Sequence, residues 1–219
     1  MQLNEILTQA VLWGVPLILA IVLHEVAHGF MAYRLGDDTA KKAGRLTLNP
    51  LKHIDPIGTV ALPLLLIVTK SPFVFGWAKP VPVNFSRLRP VRKGMLLVAL
   101  AGPFSNFLQA IFWAIVLKIT LPAVIEGNAV ADFLVQMARI GIAVNIMLMI
   151  FNLMPIPPLD GGRVLQALAP PSLAKTLLQL ERYGMLVVVV LLASGVLSKI
   201  LSPLMHWMTI GILKLVGIA

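Results

Sequence analysis

The sequence contains no cysteine, and only 12% of its 219 residues are charged. The first absence excludes disulfides and thiolate metal ligands, so any bound metal must rest on histidine and carboxylate. The second excludes an ordinary water-soluble domain, in which about a quarter of the residues carry charge. Acidic residues are the scarcest, nine Asp and Glu against eighteen Lys and Arg. No internal repeat, low-complexity tract or polar linker interrupts the chain, which leaves no room for a separate soluble domain. What is present instead is apolar: 58% hydrophobic residues and a mean hydropathy of +0.91. Those values describe an integral membrane protein.

A helix that crosses a bilayer needs about 20 mostly apolar residues. Runs at roughly 8–33, 94–119, 136–154, 183–201 and 203–218 meet that need. The opening MQLNEILTQA lacks basic residues and carries Glu5, which fits a retained first span better than a cleaved signal peptide. The run 57–69 has 13 residues, follows Asp55-Pro56 and holds Pro63 in its middle, so it is short for a crossing. Charge bears on how it is placed. Arg34, Lys41, Lys42, Arg45 and Lys52 precede it, and Lys70, Lys79, Arg87, Arg89, Arg92 and Lys93 follow it. Basic loops beside spans mark the cytoplasmic side. Both can be cytoplasmic only if 57–69 is re-entrant or interfacial. The same reading takes the net charge of +9 as a mark of topology and not of a nucleic-acid partner.

The expected fold is therefore an all-α polytopic membrane protein with about five transmembrane helices and a re-entrant segment. A short extended segment at the membrane surface, GWAKPVPVN, completes it, since proline and β-branched residues favour extended chain. The whole chain, 1–219, reads as one domain, with a core at about 8–165 and C-terminal helices at about 183–218. The N-terminus and the connection 119–131 are expected outside and the C-terminus in the cytoplasm. Gly94, Ala99, Ala101, Gly102 and Ser105 give the span 94–119 small residues for close helix approach.

Within the first span, ILAIVLHEVAHGFMAY sets His24, Glu25 and His28 among apolar residues. Ionisable groups inside a membrane are costly and need a reason. Residues i and i+4 share a helix face, so His24 and His28 can offer two imidazoles to one ion. Glu25, offset by one position, can reach an attacking water without ligating the metal, which is the chemistry of H-E-x-x-H. Catalytic zinc takes three protein ligands and an open position. The best third ligand is Asp160 in FNLMPIPPLDGGRVL, where prolines stop the preceding span and Gly161 and Gly162 let the chain turn. The plainer reading makes Asp160 a helix N-cap, and the two roles are compatible. Asp160 meets the histidines only if 57–69 does not cross, so the charge and metal arguments select the same topology. His53 and Asp55, just before that run, read as a gate or an interfacial turn. Asn106 and Asn145 either bind helices together or lie near the cavity, and packing is the preferred reading for both.

Three stretches, HEVAHGF (24–30), AGPFSN (101–106) and FNLMPIPPLDGG (151–162), together resemble the site-2 protease family of intramembrane zinc metalloproteases. The resemblance implies one zinc ion held by His24, His28 and Asp160, with Glu25 as the general base. It matches Asn152 to a family asparagine with a catalytic or substrate-binding role. It also implies cleavage of membrane-protein substrates, single-span proteins foremost, in or near their transmembrane segments within the bilayer. The chain is a compact form, without PDZ or CBS domains. An extended substrate strand added to GWAKPVPVN is one way to hold the target unwound. Two other classes use the same residues differently: a metal transporter, which has no need of a base at Glu25, and a scaffold that retains the fold without cleavage.

Overall fold

The computed structural model describes residues 3–69 and 76–218. Lys70 of the second basic stretch lies outside them. Helix α1 (Leu3–Arg34) carries the first span and tolerates Pro16 in its interior. A single turn of helix, α2 (Thr39–Lys42), follows. Asp55 then caps a π-helical turn, Pro56–Ala61, its Oδ1 accepting from the N–H of Ile57 at 3.0 Å and of Gly58 at 2.7 Å. That turn runs into α3 (Leu62–Val68). Next come α4 (Val91–Ile125), α5 (Ala129–Asn152) and the short α6 (Asp160–Leu168). The chain closes with α7 (Pro171–Ala193) and α8 (Val196–Leu215). Among the described residues there is no strand, and α1, α4, α5, α7 and α8 are each long and apolar enough to cross a membrane.

The centre of the fold is α1 packed on α4 and α5. Leu12, Trp113, Leu117, Ala138, Ile142, Ile146 and Ile212 form the main apolar core, drawn from α1, α4, α5 and α8. Gly141 gives the Trp113 ring its place, since a methyl at that position would collide with it. Outside this core the surface is as apolar as the inside. Trp13, Phe112 and Leu186 are more than half exposed, as lipid-facing side chains are and water-facing ones seldom are.

Residues 77 and 79 are bonded back to the start of the segment 56–68. The Trp77 N–H donates to Gly58 O at 3.1 Å and the Lys79 N–H to His53 O at 2.9 Å, so its two flanks are tied to each other. Residues 76–84 then run extended beneath the end of α1. Asp37, fully buried, takes the Asn84 N–H at 2.6 Å and holds that end down. Nearby, Asp38 pairs with Lys42 and Arg87, both at 2.6 Å. The Lys42 ammonium beside it, bonded to its oxygen, holds the exposed Asp38 carboxyl below the usual carboxylate range.

One expectation needs correction. The last two spans were placed at 183–201 and 203–218, but the helices run 171–193 and 196–215. Gly195, at φ +70°, takes the left-handed conformation that ends α7. Within α7, Glu181 is ion-paired with Arg163 of α6. Lys118 Nζ, near the far end of α4, donates to Val216 O at 2.6 Å, so the end of α8 packs beside the far end of α4.

Candidate metal centre

His24 and His28 lie one turn apart on α1, at 7% and 9% exposure. Their Nε2 atoms are 3.0 Å from each other. Asp160 Oδ2 is 3.2 Å from Nε2 of His24 and 3.3 Å from Nε2 of His28. The three groups come from chain positions 132 residues apart and converge on one point.

Each element has a local reason for its position. Prolines 155, 157 and 158 end α5 and build the turn that leads into α6. Gly184 of α7 lies so close to the carbonyl of Pro157 that no side chain fits between them. Asp160 is the first residue of α6 and not its cap; Leu159 holds the cap position and no side chain caps the helix. The other end of α6 is fixed by Arg92, whose Nε donates to Ala167 O at 3.1 Å and whose Nη2 donates to Ala169 O. Arg163 binds Glu181 and lies 5.1 Å over the ring of Phe85. The helix that presents the aspartate is therefore anchored at its middle and its end.

Gly102 forms the wall facing the two imidazoles. A Cβ there would lie 2.6 Å from Cε1 and Nε2 of His24 and would collide with Nε2 of His28. Behind the rings, His28 Nδ1 is 2.7 Å from Val98 O. His24 Nδ1 is 2.6 Å from Asn106 Oδ1. Both partners are oxygens that only accept, so each Nδ1 carries the proton and each Nε2 turns a lone pair forward. Pro103, which removes one N–H from the α4 ladder, sits beside these contacts.

These groups fit a zinc ion. Asp160 Oδ2 is buried and accepts no hydrogen bond among the described residues. Two imidazole nitrogens face it, so three ligand-type atoms converge on one point. Ligands at about 2.0–2.1 Å in a tetrahedron stand about 3.3 Å apart, close to the three separations given above. Two imidazoles and one carboxylate are a hydrolytic zinc donor set with a position left for water.

Glu25 Oε2 accepts the Val81 N–H at 2.7 Å. The extended segment 76–84 thereby touches the site. Its donors are largely spent: the N–H groups of Trp77, Lys79 and Val81 bind within the protein, and Pro80 and Pro82 have none. From 77 to 82 only Ala78 keeps an uncommitted backbone donor among the described residues. A full substrate ladder along this stretch, as the sequence reading allowed, is therefore not available.

The other singled-out residues fall nearby or elsewhere. Asn152 ends α5, half-buried, with Nδ2 donating to Leu148 O at 2.9 Å. His53 is buried, with Nε2 2.9 Å from Thr47 O, and is not one of the converging ligands. Asp55 is the cap described above, so both residues build a turn. Asn106 and Gly102 were read as packing residues, yet both touch the histidines. The four-residue spacing of Gly102 and Asn106 in AGPFSN was the available clue, since it puts both on one helix face.

Helices of this apolarity around a buried His–His–carboxylate cluster define a membrane-embedded metal-dependent hydrolase. Residues 118–195 match peptidase family M50. Over 202 residues the chain is 41% identical to "Putative zinc metalloprotease YwhC" of Bacillus subtilis (strain 168), covering 92% of this chain and 89% of that one. It is 32% identical over 190 residues to "Putative zinc metalloprotease Rip2" of Mycolicibacterium smegmatis, covering 87% of this chain and 70% of that one. The Rip2 protein of Mycobacterium tuberculosis (strain H37Rv) is 28% identical over 195 residues, with coverage of 87% and 70%. No solved structure matches the chain. The chain belongs to peptidase family M50, the site-2 protease family, and is a zinc metalloprotease of the membrane.

Proposed function

We propose that this protein is an intramembrane endopeptidase that hydrolyses peptide bonds in or near transmembrane segments of other membrane proteins, single-span ones foremost. The convergence of His24 and His28 of α1 with Asp160 of α6, beside helices long and apolar enough to cross a membrane, carries this reading. At 1.5 Å per residue, Val98 and Asn106 lie roughly 10 and 22 Å along α4 from its start. The site is thus set among the spans and not beyond their ends.

A bound zinc supplies Lewis acidity, which makes water a nucleophile near neutral pH and polarises the scissile carbonyl. The rest is the work of side chains. Glu25 takes the proton of the attacking water and returns it to the leaving amine. The Val81 N–H holds that carboxylate in place. Asn152, whose Oδ1 has no partner among the described residues, is placed to hold the substrate backbone beside the turn that carries Asp160. The substrate must unwind locally, because a helix hides its carbonyls in i→i−4 bonds. The basic residues gather at the site end of the bundle, which supports a cytoplasmic orientation for the site. The N-terminus then lies outside.

The test is cleavage of single-span substrates by the purified protein reconstituted in liposomes, beside Glu25→Gln. The expected result is zinc-dependent cleavage by the wild type, abolished by a chelator. Glu25→Gln should keep its zinc and lose cleavage by at least 10²-fold, the usual scale for removing a general base. Full cleavage by the variant would refute the mechanism. Metal flux across the same liposomes without cleavage would favour a transporter.

A further inference from the structure

We propose that Asn106 and Asn145 are positioning residues for the metal site, a relay of amides that fixes which nitrogen of His24 faces the ion. This rests on the zinc reading above. Both asparagines are fully buried, in α4 and α5. Burying two primary amides among apolar helices is costly unless every group is paired.

The pairing has one direction. Asn145 Nδ2 donates to Gly141 O at 2.9 Å, a backbone carbonyl that can only accept. Asn145 Oδ1 is therefore the end that faces Asn106, and it accepts from Asn106 Nδ2 at 2.9 Å. The same Nδ2 also donates to Ala20 O on α1 at 3.1 Å. Two acceptors hold the amino group of Asn106, so its amide cannot flip without losing both. Asn106 Oδ1 is left facing His24 Nδ1 at 2.6 Å, and the proton must sit on that nitrogen. A carbonyl four residues below Asn145 thus sets, through two amides, the lone pair that His24 presents at Nε2.

His28 reaches the same state by a different route, through the backbone carbonyl of Val98. The two ligands are therefore separable. A side-chain substitution at 106 acts on His24 alone, while the His28 contact stays. Partners of this kind typically contribute 10–100-fold to metal affinity.

The test uses full-length protein in detergent, with zinc removed and returned against a competing chelator. Histidine is labelled with ¹⁵N, and with only four histidines in the chain the imidazole signals are readily assigned. In the zinc-loaded wild type, two strongly hydrogen-bonded Nδ1–H signals are expected, one each from His24 and His28. Asn106→Leu should lose the His24 signal, keep the His28 signal, and bind zinc about 10–100-fold more weakly. Asn145→Leu removes one of two anchors on Asn106, so the His24 signal should persist but shift, with a several-fold loss of affinity. Asn106→Leu with both signals intact and zinc affinity within twofold of wild type would overturn the proposal. So would loss of both signals together, which is what a purely structural role in packing α1 on α4 produces. If Asn106→Leu does not fold, an unchanged signal and affinity in Asn145→Leu overturns it equally. A wild type that binds no zinc would sink the zinc reading itself, which separates the two failures.

Discussion

Gly102→Ala is the smallest change that reaches the metal site without touching a ligand. The added methyl would lie 2.6 Å from Nε2 of His24, where ordinary contact starts at 3.4 Å. The ring would have to retreat by roughly 0.8 Å, and His28 by more. Neither ring is free to swing, since Asn106 and Val98 hold their far nitrogens. Overpacking of this kind costs about 1–3 kcal/mol, and a misplacement of about 1 Å at a reacting centre costs on the order of 10²-fold in rate. The substitution favours the helix itself, as alanine is better than glycine in a helix by about 1 kcal/mol. That gain offsets part of the overpacking, and a thermal melt separates loss of the site from loss of the fold. The expected result is zinc affinity reduced about 10–100-fold by chelator competition, with at least as large a loss of cleavage. Zinc affinity within twofold of wild type, in a folded protein, would show that the histidines do not sit against Gly102 and would refute the site geometry.

Two further outcomes follow. Arg163→Ala should leave Glu181 unpaired where both side chains are 24% exposed, lowering stability by about 1–3 kcal/mol in a thermal melt. Exchanging the pair, Arg163→Glu with Glu181→Arg, should recover only part of that, because the cation over Phe85 is lost. If the single change leaves both melting and zinc content untouched, α6 is not anchored by that pair. Glu25→Gln should keep zinc at one per chain while cleavage stops, and loss of the metal in that variant would make Glu25 a ligand.

The metal site was legible in the sequence because helical periodicity carries it. His24 and His28 are four apart, and Asp160 stands behind three prolines that no spanning helix tolerates in succession. The short run 57–69 and the basic residues on both sides marked this stretch as unlike the spans, and the structure bonds Trp77 and Lys79 back to Gly58 and His53. What eluded sequence reading depends on contacts made at a distance. Asn106 looks like any membrane asparagine until Ala20 and Asn145 fix its amide. Gly102 looks like any small residue until the imidazoles face it. The start of α7 was misplaced because its first turns, from Pro171, are more polar than the run 183–201, while Glu181 within them pairs with Arg163. The prolines at 80 and 82 were visible, but their effect on strand pairing needed the partners of Trp77, Lys79 and Val81.

The most direct test of the central claim is X-ray absorption at the zinc edge on the purified protein, with Asp160→Ala beside it. The account predicts one zinc per chain with two imidazole nitrogens and oxygen donors at about 2.0–2.1 Å, and little or no bound zinc in Asp160→Ala. A wild-type spectrum with one or three imidazoles, or an unchanged zinc content and spectrum in Asp160→Ala, would contradict it.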